Sequence, residues 1–253
     1  MKRKLYQFIA TLFLLVLILG MVGCSEVDQD VGNTFTIESQ VTKESLDHLE
    51  INLDLPMVSG FGAADMINRE INDSVVAAKV EVEDAAAIMK ADGSQLSAGL
   101  GSSFQYSQSG DIVSIWIMMD NYTGGAHGLY WLETYTFNTA TNEIYALGSI
   151  FQDGKNYTSV MNDKIVSVIN EAPDNYFPSA VETVLSYNGD LPFYINGNTI
   201  VVYFSLYEIT PYAAGIQYFE FDAEELKDLL KPEIFNAIKD TEPVKNKGTI
   251  FEH

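Results

Sequence analysis

Cysteine is nearly absent from this chain: Cys24 is its only one, so no internal disulfide can form. Histidine is almost as scarce, with only His48, His127 and His253. No His-x-x-x-His pair exists, and without thiols the clustered nitrogen and sulfur ligands of a zinc site are missing. Basic side chains are few. Lys and Arg number 14 against 35 Asp and Glu, for a formal charge of −21. A chain so acidic has no means of releasing counterions from a phosphate backbone, which excludes nonspecific nucleic-acid binding. Nucleophile elbows of the G-x-S-x-G type and phosphate-binding P-loops are also absent. Asp153-Gly154 lacks the repeated oxygen ligands of a calcium loop. Glu220, Asp222, Glu224 and Glu225 read as a solvated helix start, where carboxylates are favoured, rather than as an acid–base pair. Neither a metal nor a cofactor is expected.

What is present suits a folded domain. Hydrophobic residues make up 47% of the 253 positions and aromatics 12%, ample for a packed core. The single long hydrophobic run is N-terminal. Lys2, Arg3 and Lys4 precede an apolar stretch from Phe8 to Val22, and polar Ser25-Glu26 follow. A positive start, a short apolar core and a small residue at the break describe an export signal. Met21-Val22-Gly23-Cys24 resembles a bacterial lipobox. That resemblance implies cleavage after Gly23 and a diacylglycerol on Cys24, with residues 24–33 as a tether. The expected location is the extracytoplasmic face of a bacterial cell membrane or envelope. Removing Lys2, Arg3 and Lys4 with the leader leaves 11 basic against 35 acidic side chains, a charge of −24.

Beyond the tether, the hydrophobic period changes along the chain. Ile51, Leu53 and Leu55 alternate with Asn52 and Asp54, the mark of a half-buried strand that Pro56 is expected to end. Ile67, Ile71, Val75, Ala78, Val82, Ala85 and Met89 recur every three or four residues, which predicts one long amphipathic helix over 61–90. A Gly/Ser-rich break over 93–101 is the expected internal boundary. Hairpin signals then dominate: Gln108-Ser109-Gly110, and Asn196-Gly197 between 192–195 and 199–207. Strands are also expected over 129–138, 143–147 and 215–221, and helices near 157–168, from Ala223 and from Pro232. The expected class is α+β: an antiparallel sheet packed against helices. A small N-terminal α+β unit would span 34–95, a second domain 100–225 and a helical tail 226–253.

Two segments carry the candidate site. The first is Tyr122-Thr123-Gly124-Gly125-Ala126-His127-Gly128, between two strands rich in aromatics. Its glycines allow positive φ or close backbone approach. His127 is either a proton carrier or ligand, or a residue that bonds backbone to fix the loop. The second is Tyr207-Glu208-Ile209-Thr210-Pro211-Tyr212-Ala213-Ala214-Gly215, where Pro211 forces the chain out of a sheet. Tyr207 and Tyr212 are either stacking surfaces for a partner or hydroxyls that tie the loop down.

These segments, with Tyr135-Thr136-Phe137-Asn138, Thr141 and Leu147-Gly148-Ser149-Ile150-Phe151, resemble the RsiV-type extracytoplasmic domain. Pro56 and Ile67-Asn68-x-x-Ile71 resemble the small domain that precedes it, also found in PdaC-type peptidoglycan deacetylases. Family members include a lysozyme receptor that is an anti-sigma factor, cell-wall enzymes and other lipoproteins. Only Met1–Gln7 precede the apolar run, and the chain ends soon after the last motif. Neither a cytoplasmic sigma-factor segment nor a metal-dependent deacetylase domain is therefore expected. The resemblance then implies a non-enzymatic, lipid-anchored binding or sensor module. Its partners would be the membrane, through Cys24, and a basic lysozyme-like protein or peptidoglycan. The alternatives are an envelope enzyme using the His127 loop on glycan or peptide, and an accessory structural lipoprotein.

Overall fold

The computed structural model describes residues 34–245, and the leader, Cys24 and the tether lie outside them. Two strands open the fold, β1 (Thr36–Leu46) and β2 (Leu49–Ser59), antiparallel and in register from Thr36↔Ser59 to Leu46↔Leu49. Contrary to expectation, Pro56 lies inside β2. The amide of Asp54 meets Ser102 Oγ at 2.9 Å, and that of Val58 meets Asn68 Oδ1 at 3.0 Å. Pro56 sits two residues from each, so its missing N–H falls on that same side, past the paired stretch Leu49–Asn52. A proline is tolerated where no ladder bond is due.

Helix α1 (Ala64–Ala91) follows, and the predicted stripe is the face it buries: Ile67, Ile71, Ala78, Val82, Ala85 and Met89. The chain then enters β3 (Ala98–Ser109), which pairs with β2 in parallel. This is a correction to the all-antiparallel expectation, and its cause is the helix. A strand–helix–strand crossover brings β3 back alongside β2 in the same direction. β4 (Ile112–Tyr122) and β5 (Leu129–Asn138) complete one five-stranded sheet, ordered β1-β2-β3-β4-β5. Residues 34–95 therefore share a sheet and a core with residues 98–138.

After β5, residues 143–147 do not form the expected strand. Only Ile144 bridges Phe137, and Leu147–Ile150 coil into a 3-10 turn whose Leu147 and Ile150 are buried. Helix α2 (Tyr157–Glu171) is capped by Asn156, which accepts from the Ser159 amide at 3.2 Å. Helix α3 (Ala180–Ser186) follows. A second, antiparallel sheet of β6 (Phe193–Asn196), β7 (Thr199–Phe204) and β8 (Gln217–Asp222) comes next. The helix expected from Ala223 is instead a series of turns begun by Asp222 Oδ1, which accepts from the Glu224 amide at 2.8 Å. Helix α4 (Pro232–Ile238) closes the described chain.

The burial pattern sets four layers. Val113, Ile115, Ile117 and Met119 of β4 pack with the α1 stripe. The opposite face of β4 and β5, with Trp116 and Leu132, packs on Tyr194, Val201 and Tyr203 of the small sheet. Trp116 stacks on Tyr194 at 4.6 Å between ring centroids. Ile200, Val202, Phe204, Phe219 and Phe221 face outward from there to α2, α3 and α4. Leu226, Leu230, Ile234 and Ile238 belong to that last core, so the segment after 226 is built into the domain. Burying each large aliphatic contributes about 1.5–3 kcal/mol before entropy is charged. Among the described residues, no helix is long and apolar enough to cross a membrane.

Candidate functional site

The β4–β5 connection holds the first motif. Gly124 and Gly125 sit at φ 110° and 92°, a region that side chains rarely enter. Tyr122 ties its own loop, its hydroxyl donating to the Gly125 carbonyl at 2.9 Å. His127 Nδ1 lies 2.9 Å from the Gly128 carbonyl oxygen. A carbonyl only accepts, so Nδ1 carries the proton.

The second motif leaves β7 at Ser205. Glu208 organises this turn: Oε2 accepts from the Ser205 amide at 2.6 Å, and Oε1 accepts from the Tyr187 hydroxyl. Burial, and then that bond to a carboxylate, push the Tyr187 phenol well above its usual range. Tyr207 takes a positive φ of 62° and is 51% exposed. Ile209 and Thr210 are buried as anchors, and Pro211 opens a 3-10 turn over Tyr212–Ala214.

The fold joins the two motifs. Tyr212 stacks on His127 with ring centroids 3.8 Å apart and planes 20° apart. Its hydroxyl donates to the Gly128 carbonyl at 2.9 Å, the same oxygen that His127 engages. Tyr130 meets Tyr212 edge-on at 6.1 Å, and Tyr207 lies 5.6 Å from it. Burial and the neighbouring Tyr212 raise the Tyr130 phenol, while the Ile216 amide opposes them. The result is a clamp of two loops around one carbonyl, capped by an aromatic cluster whose outer members, His127 and Tyr207, face solvent.

Several residues that matter here carry no signal in the sequence. Tyr130 is one aromatic among several in β5, and Tyr187, the partner of Glu208, lies far from both motifs in sequence. Asp120 and Gly101 are a further pair. A Cβ there would lie 2.3 Å from Asp120 Oδ2, so only glycine leaves room for this carboxylate, which is 5% exposed. Both line a cleft of about 540 Å3 beside the clamp, together with Glu50, Asn52, Tyr122 and His127. Among the described residues, no hydrogen bond joins His127 to a carboxylate, and no cluster of His, Cys, Asp or Glu could hold a metal ion. Cys24 lies outside the described residues.

Residues 148–224 match the family described as "Protein of unknown function (DUF3298)". The matched span includes the Tyr207–Gly215 segment. No curated protein matches the chain. Among solved structures, it resembles a DUF3298 family member from Bacteroides fragilis NCTC 9343. That likeness covers 82% of this chain and 98% of the other, at 19% identity and a TM-score of 0.56. A DUF3298 family protein from Pseudomonas aeruginosa PAO1 aligns over 81% of this chain and 98% of its own, at 13% identity and a TM-score of 0.49. At such identity the first likeness extends to the fold alone.

Proposed function

We propose that this chain is a lipid-anchored, extracytoplasmic binding module of the RsiV type, without catalytic activity, whose partner is a basic lysozyme-like protein. The observation that carries the reading is the commitment of His127. Its Nδ1–H goes to the Gly128 carbonyl and one ring face to Tyr212, which braces the loop, and among the described residues no carboxylate is hydrogen-bonded to the ring. What the clamp offers outward is a rigid aromatic surface with Tyr207 at its edge. Rigid aromatics of this kind anchor protein interfaces at low entropic cost. The charge of −24 on the exported chain suits a cationic partner and speeds the encounter. The lipid anchor rests on the Gly23-Cys24 motif.

The cleft beside His127, with Glu50 and Asp120 on its wall, is the observation that favours the enzymatic alternative. One comparison separates the readings. The full chain in detergent is tested for capture by immobilised lysozyme and by purified peptidoglycan, with product release from the peptidoglycan followed in parallel. Capture by lysozyme with no product release supports the proposal. Retention on peptidoglycan alone moves the ligand to the cell wall. Product release that disappears in His127→Ala, with thermal stability intact, replaces the proposal with an enzyme.

A further inference from the structure

The cleft beside the clamp lies on the face of the large sheet turned away from α1. Ala98 and Leu100 of β3 belong to the α1 core, so the alternate residues Gly99 and Gly101 face the other side. Register lays two rows across that face. Glu50, Gly99 and Tyr122 stand side by side on β2, β3 and β4, and Asn52, Gly101 and Asp120 form the next row. Each row has a glycine at its centre.

The two glycines serve different ends. Gly101 makes room for the Asp120 carboxylate. Gly99 makes room for nothing in the fold. It has no positive φ, and within 4 Å a Cβ there would meet only the Glu50 carbonyl oxygen, at an ordinary 3.7 Å. A glycine paired on both sides weakens its strand, and such a position marks the close approach of a ligand or another backbone. No other backbone among the described residues comes that close to Gly99 on this side, which leaves a ligand.

The walls define that ligand. Glu50 and Asp120 bring carboxylates and Asn52 an amide, and neither lysine nor arginine is in the lining. Ser45 Oγ donates to Glu50 Oε1 at 2.7 Å and orients that carboxylate. His127 carries its proton on Nδ1, so its Nε2 is a further acceptor. A lining of acceptors and negative charge suits a cationic donor. Leu96, 52% exposed, joins Tyr122 and Ala126 as apolar wall that a bare ion would leave uncovered. The strands of Glu50 and Tyr122 stand about 9.5 Å apart, two strand spacings, and the gap over Gly99 admits one ring between them.

We infer that this cleft binds a small organic ammonium ion, a protonated primary amine carried on a single six-membered ring. The ring lies over Gly99, between Glu50 and Tyr122, and the ammonium group sits between the carboxylates of Glu50 and Asp120. The inference does not depend on which protein binds the clamp.

The test titrates the full chain in detergent, at physiological salt, with cyclohexylamine and with glucosamine. Cyclohexanol and glucose are their uncharged counterparts. Ligands this small are expected to bind in about the millimolar range. The amines bind and shift the amide resonances of Gly99 and Gly101, and the uncharged counterparts bind about tenfold more weakly, the loss of one charged hydrogen bond. Gly99→Val fills the space with a side chain suited to a strand, so binding is lost while the melting temperature holds or rises. Glu50→Gln and Asp120→Asn each weaken the amines about tenfold. If Gly99→Val or Asp120→Asn fails to fold, Glu50→Gln on the exposed wall and the uncharged ligands decide. Tighter binding of glucosamine supports a sugar ring, and tighter binding of cyclohexylamine supports a hydrocarbon ring. Equal binding of the uncharged counterparts would overturn the ammonium ion. Amine binding that persists in a folded Gly99→Val, or resonances of Gly99 and Gly101 that neither amine moves, would overturn the site. Lysozyme capture is scored separately, so its failure and the failure of this site are distinguishable.

Discussion

The joint between the two loops is open to a double-mutant cycle on His127 and Tyr212. Tyr212→Ala removes the 3.8 Å stack on His127, the edge contact with Tyr130, the contact with Tyr207 and the hydroxyl bond to Gly128. An aromatic pair contributes about 0.5–1.5 kcal/mol beyond its buried area, and these half-exposed rings belong near the lower end. A hydrogen bond adds about 0.5–1.5 kcal/mol. Together they predict a loss of roughly 2–4 kcal/mol for Tyr212→Ala. Tyr212→Phe keeps the rings, and the Gly128 carbonyl keeps the His127 donor, so its loss is about 0.5–1 kcal/mol. His127→Ala should cost about 1–1.5 kcal/mol, and the double variant less than the sum by about 0.5–1.5 kcal/mol. Denaturant unfolding with a shared m-value measures all four. Additivity within about 0.3 kcal/mol would mean that the rings do not support one another, and the clamp would lose its basis.

Further perturbations address single features. Gly101→Ala sets a methyl group into the Asp120 carboxylate and should destabilise the domain by about 1–3 kcal/mol in the same assay. Gly125→Ala meets no neighbour within 4 Å, so its expected loss of about 1 kcal/mol reports backbone strain alone. Burial, with Tyr130 and Tyr203 nearby, holds the Tyr218 phenol up at about 12. A folded-state value above the unfolded one, near 10, means full stability below about pH 10 and a decline as pH rises toward 12, visible as phenolate absorbance appearing together with unfolding. Cys24→Ala should abolish labelling by a palmitate analogue, and unchanged labelling would remove the lipid anchor from the account.

Much of the architecture could be read from periodicity. The α1 stripe and the bounds of β5 are local patterns, and Asn196-Gly197 marks its hairpin directly. Misreadings arose where tertiary context overrides local preference. Pro56 continues a strand because no ladder bond is due at its nitrogen, which depends on where β3 stops pairing. α3 spans only seven residues, too few for its period to emerge, and it forms by burying Ala180 and Val184. Residues 143–147 have strand-like composition, yet Leu147 and Ile150 are drawn into the core beneath α2. At the site, both motifs stood out by their glycines, proline and aromatics. Their meeting did not, because the Tyr212–Gly128 bond spans 84 positions.

The central claim, a specific receptor surface on an acidic envelope module, turns on separating charge from contact. Calorimetric titration of the full chain in detergent with lysozyme is compared, at low and at physiological salt, with a second basic protein of similar size. Charge steering alone fades at physiological salt, where the Debye length is about 8 Å. The account predicts that lysozyme binding survives there, that the control protein's signal vanishes, and that Tyr207→Ala removes most of the lysozyme affinity. Equal loss of both signals at physiological salt would contradict it.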